Sequence, residues 1–379
     1  MRANSGLLGR TVTVGALFLS GMALATLAVT SAVGAAGSNG SRVSLSATAV
    51  GSFSGANAGG YGFDDPLAVA STGALIKVIH GSSYGFDGPA AIAWGSTHVW
   101  VANGNGNSVT DLSASTGALV KVIRGSSYGF NTPEGVTLGG GHVWVTNFYG
   151  RSVTELSAST GALIKVIRGS SYGFNGPADV ASDGTHVWVT NFYGNSVTEL
   201  SAATGALVKV IRGSSYWFVG PGSIAWGSTH IWVVNGTGST VTELSASTGA
   251  LIRVVRGPSY GFNYPSGVAL GGGHVWVASP SGNSVTELSA STGALVKVIR
   301  GSSYGFFGLL DVASDGTHVW VPNLFGNSVT ELSAATGALD KVIRGASYGF
   351  DHPEAIAWGS AHIWVANNKG NSVTEFPAS

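Results

Sequence analysis

Four acidic residues stand near the start of repeated segments, where their carboxylates could hold a cation or transfer a proton. They are Glu134, Asp179, Asp311 and Glu354, and His352 lies just before the last of them. Carboxylate oxygens are the ligands that Ca²⁺ and Mg²⁺ prefer, and crowded carboxyls acquire raised pKa values that suit acid–base work. These five residues are therefore a candidate metal site, with calcium or magnesium as the cofactor to test.

The spacing of this acidic set argues against a single shared ligand. The two aspartates come one position later in the repeat than the two glutamates. Because side chains alternate along a strand, an extended backbone would direct the two pairs to opposite faces. The alternative is a solvated rim of carboxylates that binds nothing.

A second candidate set combines aromatic rings with amides in the predicted loops. The residues are Tyr128, Tyr172, Trp217, Asn147 and Asn191. Aromatic faces stack on apolar ring surfaces, and amides pair with hydroxyl groups, so this set predicts recognition of a glycan or another cell-envelope component. The alternative is that the rings pack between repeats as part of the core.

Histidine is repeated too, but its spacing predicts a structural role. Seven His-Val/Ile-Trp triplets follow one another at intervals of 44 residues, beginning at His98, His142, His186, His230, His274, His318 and His362. Packed sheets lie about 10 Å apart, whereas a zinc ligand must come within about 2.1 Å of the ion. One histidine per sheet cannot form a shared metal centre.

An acid recurs once per repeat on the predicted third strand, and basic residues cluster on the fourth. The acids are Asp111, Glu155, Glu199, Glu243, Glu287, Glu331 and Glu375. We expect these acids to pair with the basic residues on an exposed outer rim, where each pair would contribute about 0–1 kcal/mol.

Composition excludes several classes of protein. The 379 residues include no cysteine, 59 glycines and 18 basic against 18 acidic side chains. A neutral chain gains no counterion release on a phosphate backbone, so nucleic acid is not an expected partner. Disulfides and thiolate nucleophiles are absent, and no Ser-His-Asp order, phosphate loop or paired-histidine motif occurs. No catalytic residue is predicted.

The repeat itself predicts the fold, an all-β seven-bladed β-propeller of four-stranded antiparallel blades. Each 44-residue copy holds four short segments rich in β-forming residues, separated by Gly and Asn turns. Four strands per 40–45 residues is the pattern of a propeller blade. Some turn sequences recur only every third copy, which points to a longer period of 132 residues.

The ends of the repeat array predict how the ring closes. A fourth-strand segment at residues 74–80 precedes the first full repeat, and the chain ends after a third-strand segment at residues 372–376. Joining the N-terminal outer strand to the three C-terminal strands completes the seventh blade and leaves no open edge. The propeller is expected to span residues 65–379 and to be a monomer.

The N-terminal region resembles an export sequence. Arg2 and Arg10 precede an uncharged apolar stretch that ends in small residues. We interpret residues 1–35 as a cleaved signal peptide and residues 36–64 as a Gly/Ser-rich linker. The mature protein would then be secreted or extracytoplasmic and would not span a membrane. An uncleaved N-terminal anchor is the alternative.

Two family resemblances follow from the repeat sequence. The segments at residues 187–191, 194–200 and 204–211 resemble the YVTN-type repeat of NHL-like β-propellers. The turn at residues 183–188 is similar to repeats of virginiamycin B lyase-type propellers. The first resemblance implies a binding scaffold, and the second implies a lyase.

These observations predict an exported binding or scaffold module that recognises a glycan or envelope protein through its aromatic loop face. The alternative is a divalent-metal-dependent lyase or hydrolase with its site at the central channel.

Overall fold

In the computed structural model, the chain divides into two units, residues 1–67 and 68–379. The structure describes residues 74–378 and, in the N-terminal unit, two short strands, Val12–Thr13 and Ala28–Val29, which pair antiparallel. The predicted signal peptide, the predicted linker and residues 65–73 of the predicted propeller lie outside the part described, apart from those two strands. Among residues 74–378, no helix has the length and apolarity needed to cross a membrane.

The second unit contains seven four-stranded antiparallel sheets, which confirms the predicted propeller. We number the blades 1 to 7 from residue 89 and name their strands innermost, second, third and outer. The innermost strands are Pro89–Trp94, Pro133–Gly139, Pro177–Ser182, Pro221–Gly227, Gly267–Gly271, Ala313–Ser314 and Pro353–Gly359. The second strands are His98–Asn103, His142–Asn147, His186–Asn191, His230–Asn235, His274–Ser279, His318–Asn323 and His362–Asn367.

The two remaining strands of each blade follow the same pattern. The third strands are Ser108–Ser113, Ser152–Ser157, Ser196–Ser201, Thr240–Ser245, Ser284–Ser289, Ser328–Ser333 and Ser372–Pro377. The outer strands are Leu119–Ile123, Leu163–Ile167, Leu207–Ile211, Leu251–Val255, Leu295–Arg300, Leu339–Arg344 and, in blade 7, Lys77–His80.

Blade 7 is closed by both ends of the propeller, as predicted. Lys77 pairs with Glu375 and His80 with Ser372, so the N-terminal strand lies against the third strand of blade 7. This strand lacks a covalent hairpin to its partner, yet it satisfies the backbone groups that would otherwise form an open edge.

Each hydrophobic core lies between two consecutive blades. Trp144 of blade 2, for example, packs in one cluster with Val187 and Val189 of blade 3. The second-strand tryptophans are fully buried in all seven blades. Both faces of the second strand are therefore covered, and this explains its run of apolar residues at odd and even positions.

A 3₁₀ turn follows each outer strand and leads to the next blade. These turns are Ser82–Tyr84, Ser126–Tyr128, Ser170–Tyr172, Ser214–Tyr216, Pro258–Tyr260, Ser302–Tyr304 and Ala346–Tyr348; an eighth turn, Pro280–Gly282, lies within blade 5. The residue that ends each of the seven interblade turns is left-handed. It is glycine in six turns and Trp217, with φ of 55°, in the other. A bulky residue in this conformation is strained.

Candidate functional site

The innermost strands surround a central cavity of about 490 Å³. All four acidic residues singled out from the sequence line it: Glu134, Asp179, Asp311 and Glu354. This volume lies within the range of about 300–1,000 Å³ that is typical of small-molecule sites.

A β-bulge at the start of the innermost strands brings the two kinds of acid together. In blade 2, Pro133 pairs with Asn147 and Gly135 with Thr146, so Glu134 is left out of the ladder. In blade 3, the register shift covers Asp179. The expected alternation is interrupted there, and all four acids line the one cavity.

The two aspartates connect neighbouring blades through hydrogen bonds. Asp179 Oδ2 accepts hydrogen bonds from Ser223 Oγ and the Ile224 backbone N–H of blade 4, each at 3.0 Å. Asp311 Oδ2 accepts the N–H of Ile356 in blade 7 at 2.9 Å. The Oδ1 atom of each aspartate also accepts the backbone N–H of the next residue, Val180 or Val312. Most of their hydrogen-bonding capacity is therefore used within the protein.

The two glutamates are different, because their carboxylates face the cavity without such partners. Within residues 74–378, neither Glu134 nor Glu354 makes a side-chain hydrogen bond or ion pair. Both also line a second cavity of about 220 Å³, together with Asn105, Thr132 and Asn368. They are thus the channel carboxylates available to a ligand.

Burial controls the protonation of the channel carboxyls. It raises the pKa of Glu134 to about 7. Burial, followed by the charges of Glu134 and Asp311, raises the pKa of Glu354 to about 7. Burial also raises the pKa of Asp311 to about 7 and that of Asp179 above its ordinary value, although backbone hydrogen bonds oppose both shifts. A carboxyl with a pKa of about 7 can donate or accept a proton near neutral pH.

His352 does not join the acids in the channel cavity. Its backbone N–H donates to Asn327 Oδ1 at 2.9 Å, its Nδ1 lies 3.0 Å from Asp351 Oδ1, and its ring meets the edge of Phe325. His352 therefore helps to lock the loop between blades 6 and 7, and we remove it from the predicted channel site.

The channel acids also do not form a compact metal-ligand group. In the part of the chain that the structure describes, just one set of three acidic or histidine side chains has ligand atoms within 4.8 Å of one another, and it lies in blade 6. A calcium or magnesium ion at the channel stays a prediction. Glu134 and Glu354 are the carboxylates with oxygens available to hold it.

Aromatic rings from blades 2 and 3 form one wall of the channel mouth. We call Phe148, Tyr149, Phe192 and Tyr193 the aromatic cluster. Phe148 lies 6.3 Å from Phe192 and 5.3 Å from Tyr193 between ring centroids. Phe148 and Phe192 line the cavity, whereas Tyr149 and Tyr193 are 65% and 57% exposed.

Four of the five predicted ligand-binding residues make packing or hydrogen-bond contacts within the blades. Tyr128 and Tyr172 stack on Phe130 and Phe174 and pack against the interblade cores. This is the alternative that the sequence left open.

The two asparagines are also internal. Asn147 and Asn191 are fully buried, and each side chain donates to a serine and a threonine hydroxyl of the same blade, as in the 2.9 Å bond to Thr154 Oγ1. Trp217 alone of the predicted set is well exposed, with the Arg256 guanidinium 4.1 Å from its ring centroid.

The repeated acids of the third strand are buried rather than exposed. Glu155 is 1% exposed and lies 2.7 Å from His142 Nδ1 and 3.8 Å from Lys165 Nζ. The expected acid–base pairing occurs, but the carboxylate sits beneath the histidine and not on an open rim. Burial raises the pKa of Glu155, while the charges of His142 and Lys165 oppose the shift.

The comparisons with known proteins concern the fold alone. No protein-family model and no curated protein matches the chain. A crystal structure of a catalytically inactive virginiamycin B lyase from Staphylococcus aureus, with quinupristin, matches with a TM-score of 0.65 at 15% identity, covering 80% of this chain and 99% of that one. The chain shares the propeller fold of this lyase.

Two further structures support the same architecture. A streptogramin B lyase matches with a TM-score of 0.63 at 16% identity over 80% of this chain and 97% of that one. Hydrazine synthase from Kuenenia stuttgartiensis matches with a TM-score of 0.66 at 16% identity over 78% and 96%. Two lyases and a hydrazine synthase thus share this fold, so function must be argued from the site.

Proposed function

We propose that this protein is an exported binding module that captures a glycan, or a glycan-bearing envelope component, at the channel mouth. The observation that carries the proposal is the joint lining of one cavity by two rings of the aromatic cluster, Phe148 and Phe192, and by two carboxylates without protein partners, Glu134 and Glu354. Aromatic faces can stack on the apolar face of a sugar, while Glu134 and Glu354 accept hydrogen bonds from its hydroxyl groups.

Asymmetry around the ring supports this choice of face. The loops after the second strand carry paired aromatic residues in blades 2 and 3, whereas the same loop is Gly-Asn-Gly in blade 1 and Gly-Thr-Gly in blade 4. A residue needed for folding of every blade would recur in every copy. Phe148 and Phe192 therefore belong to a local surface of the ring and not to the general repeat.

A glycan array followed by calorimetry on the best sugar tests the proposal. Tyr149→Ala and Tyr193→Ala each remove an exposed ring and are expected to weaken binding about tenfold, because one stacked aromatic contributes about 1–1.5 kcal/mol. Val208→Ala removes an exposed side chain from an outer strand and should leave affinity unchanged. Failure to bind any array glycan, or equal binding by all variants, contradicts the proposal.

A lyase or hydrolase at the same channel is the second candidate. It is favoured by the carboxyls of Glu134 and Glu354, whose pKa values of about 7 suit proton transfer. Divalent metal, if required, would be held through these oxygens.

Incubation with quinupristin, with and without Mg²⁺, followed by mass spectrometry, tests the enzymatic candidate directly. Turnover that is lost in Glu134→Gln and kept in Val208→Ala would support it. Unchanged quinupristin in every condition would contradict lyase activity on this substrate.

A further inference from the structure

Blade 6 differs from the other blades at one position of its outer strand. Asp340 occupies a position that is an exposed β-branched residue elsewhere. The equivalent residues are Ile76, Val120, Ile164, Val208, Ile252 and Val296, each between 40% and 50% exposed. Asp340 breaks both the 44-residue and the 132-residue period, so a general folding role does not explain it.

This aspartate completes a set of potential metal ligands. Ligand atoms of His318, Glu331 and Asp340 all lie within 4.8 Å of one another. The three residues come from the second, third and outer strands of one sheet. Their backbones are therefore fixed by the β-ladder, in which Trp320 pairs with Glu331 and Glu331 with Lys341.

The histidine of this set is oriented by a second carboxylate. In five blades, Nδ1 of the repeated histidine lies 2.7–2.9 Å from an oxygen of the third-strand acid, as in the 2.9 Å contact of His230 with Glu243. In blade 6, His318 Nδ1 instead faces Asp315 Oδ2 at 3.4 Å. This contact leaves Nε2 as the ring nitrogen that can bind an ion. Metal-binding histidines commonly donate their other ring N–H to a carboxylate, which fixes the orientation of the ring.

The glutamate is buried and is held by its other oxygen. Glu331 is 1% exposed, and its Oε2 accepts a hydrogen bond from Trp320 Nε1 at 2.9 Å. Lys341 Nζ lies 3.3 Å from the same oxygen. We assign Oε1 as the oxygen that faces the ion.

We propose that blade 6 binds a divalent transition metal of the zinc class through His318, Glu331 and Asp340. One imidazole nitrogen and two carboxylate oxygens match the mixed ligand set of zinc, and water would complete a tetrahedral shell. The imidazole makes Ca²⁺ and Mg²⁺ poor candidates, because those ions prefer an all-oxygen shell. The site is separate from the channel and does not depend on the proposed function.

Blade 3 is a natural control. It repeats the turn aspartate, the histidine and the third-strand acid as Asp183, His186 and Glu199, with Lys209 beside the glutamate. At the position of Asp340 it carries Val208. The hydrogen bond from Trp320 Nε1 to Glu331 has no counterpart in blade 3, where Trp188 Nε1 and Glu199 Oε2 have no hydrogen-bond partner among the described residues. The added carboxylate is otherwise the main difference in residue type between the two sets, so the two blades can be compared directly.

The test measures Zn²⁺ and Co²⁺ binding to the purified full chain after treatment with a chelator. Calorimetry gives the Zn²⁺ stoichiometry, and the visible absorption of Co²⁺ reports the coordination geometry. The wild-type protein should take up one ion, and Asp340→Val should bind it at least about tenfold more weakly, since even indirect ligand support changes metal affinity by about 10–100-fold. Asp340→Val installs the residue found in blade 3, so the fold should be retained.

The reciprocal variant, Val208→Asp, should create a second site in blade 3. Circular dichroism checks that each variant is folded. A wild-type protein that takes up no ion, or an Asp340→Val variant that binds as tightly as wild type, would overturn the proposal. In that case Asp340 would act as a charge that protects the exposed edge of blade 6 from pairing with another strand.

Discussion

The carboxylate of Asp311 in blade 6 accepts the backbone N–H of Ile356 in blade 7, with 2.9 Å between Oδ2 and the nitrogen. The same link joins Asp179 of blade 3 to Ile224 of blade 4 at 3.0 Å. Asp179 and Asp311 are equivalent in the 132-residue period. Because both link neighbouring blades, we assign Asp179 and Asp311 a structural role in the ring. We assign Glu134 and Glu354 to ligand binding.

Removing either bridging aspartate should destabilise the propeller. Asp311→Ala leaves two backbone N–H groups without their acceptor, and we expect a loss of about 1–3 kcal/mol in the free energy of unfolding. Asp179→Ala should cost more, because Asp179 also accepts from Ser223 Oγ. Urea unfolding measures both. A smaller loss for Asp179→Ala than for Asp311→Ala would contradict the assignment.

Stability should fall as the pH rises from about 4.5 to about 7. The folded pKa values of Glu134 and Glu354 are raised to about 7 by burial, whereas in the unfolded chain these carboxyls have their ordinary pKa of 4.5. In this window the folded state binds more protons than the unfolded state, so deprotonation favours unfolding, at a cost on the order of 1–3 kcal/mol per group.

The variant Glu134→Gln with Glu354→Gln isolates this effect. It should be more stable than wild type at pH 8 and should lose less stability between pH 5 and pH 8. Thermal unfolding at several pH values is the measurement, with Asp87→Asn in an exposed loop as the control. Parallel pH profiles for wild type and the double variant would show that these carboxyls do not carry the linkage.

Close contact between neighbouring blades should make substitution of Gly267 destabilising. A Cβ on Gly267 would lie 2.7 Å from Asp311 Cα and 2.8 Å from the Leu310 carbonyl oxygen, both on the neighbouring blade. Gly267→Ala should therefore cost about 1–3 kcal/mol, since the backbone must move. Gly222→Ala is the matched control, because nothing lies within 4 Å of its Cβ position. Equal unfolding midpoints would refute the expected clash.

Loss of the closing strand should cause aggregation. A chain that begins at Ala74 keeps the strand Lys77–His80, whereas a chain that begins at Gly81 leaves the third strand of blade 7 unpaired. We expect the shorter chain to aggregate through this edge, and the longer one to remain monomeric. Size-exclusion chromatography with light scattering distinguishes them. A monomeric, folded shorter chain would contradict a structural need for closure.

The sequence predicts the fold well because an uninterrupted 44-residue repeat fixes both strand number and blade number. It also predicts that Glu134 and Asp179 belong to the channel, but not that both line the same cavity. That outcome depends on a bulge after Pro133 and Pro177, where the two strands differ in how many residues leave the ladder. Alternation alone cannot reveal such a shift.

The burial of polar residues at strand ends is not visible in the sequence. The sequence suggests that the Asn147 amide could bind a ligand. In the structure it donates hydrogen bonds to the hydroxyls of Ser152 and Thr154 within its own blade. The better guide was the change between copies, because Phe148 and Phe192 recur in two blades and Asp340 in none of the others. Repetition identifies what every blade needs, and departure from it identifies what one blade does.

The pairing of Lys77 with Glu375 links the order of synthesis to the order of folding. Each hairpin of the first six blades joins strands that are neighbours in sequence, whereas in blade 7 the strand Ser372–Pro377 must pair with Lys77–His80, the first strand of the propeller in chain order. This non-local step of folding therefore has to wait until Ser372–Pro377 has been made.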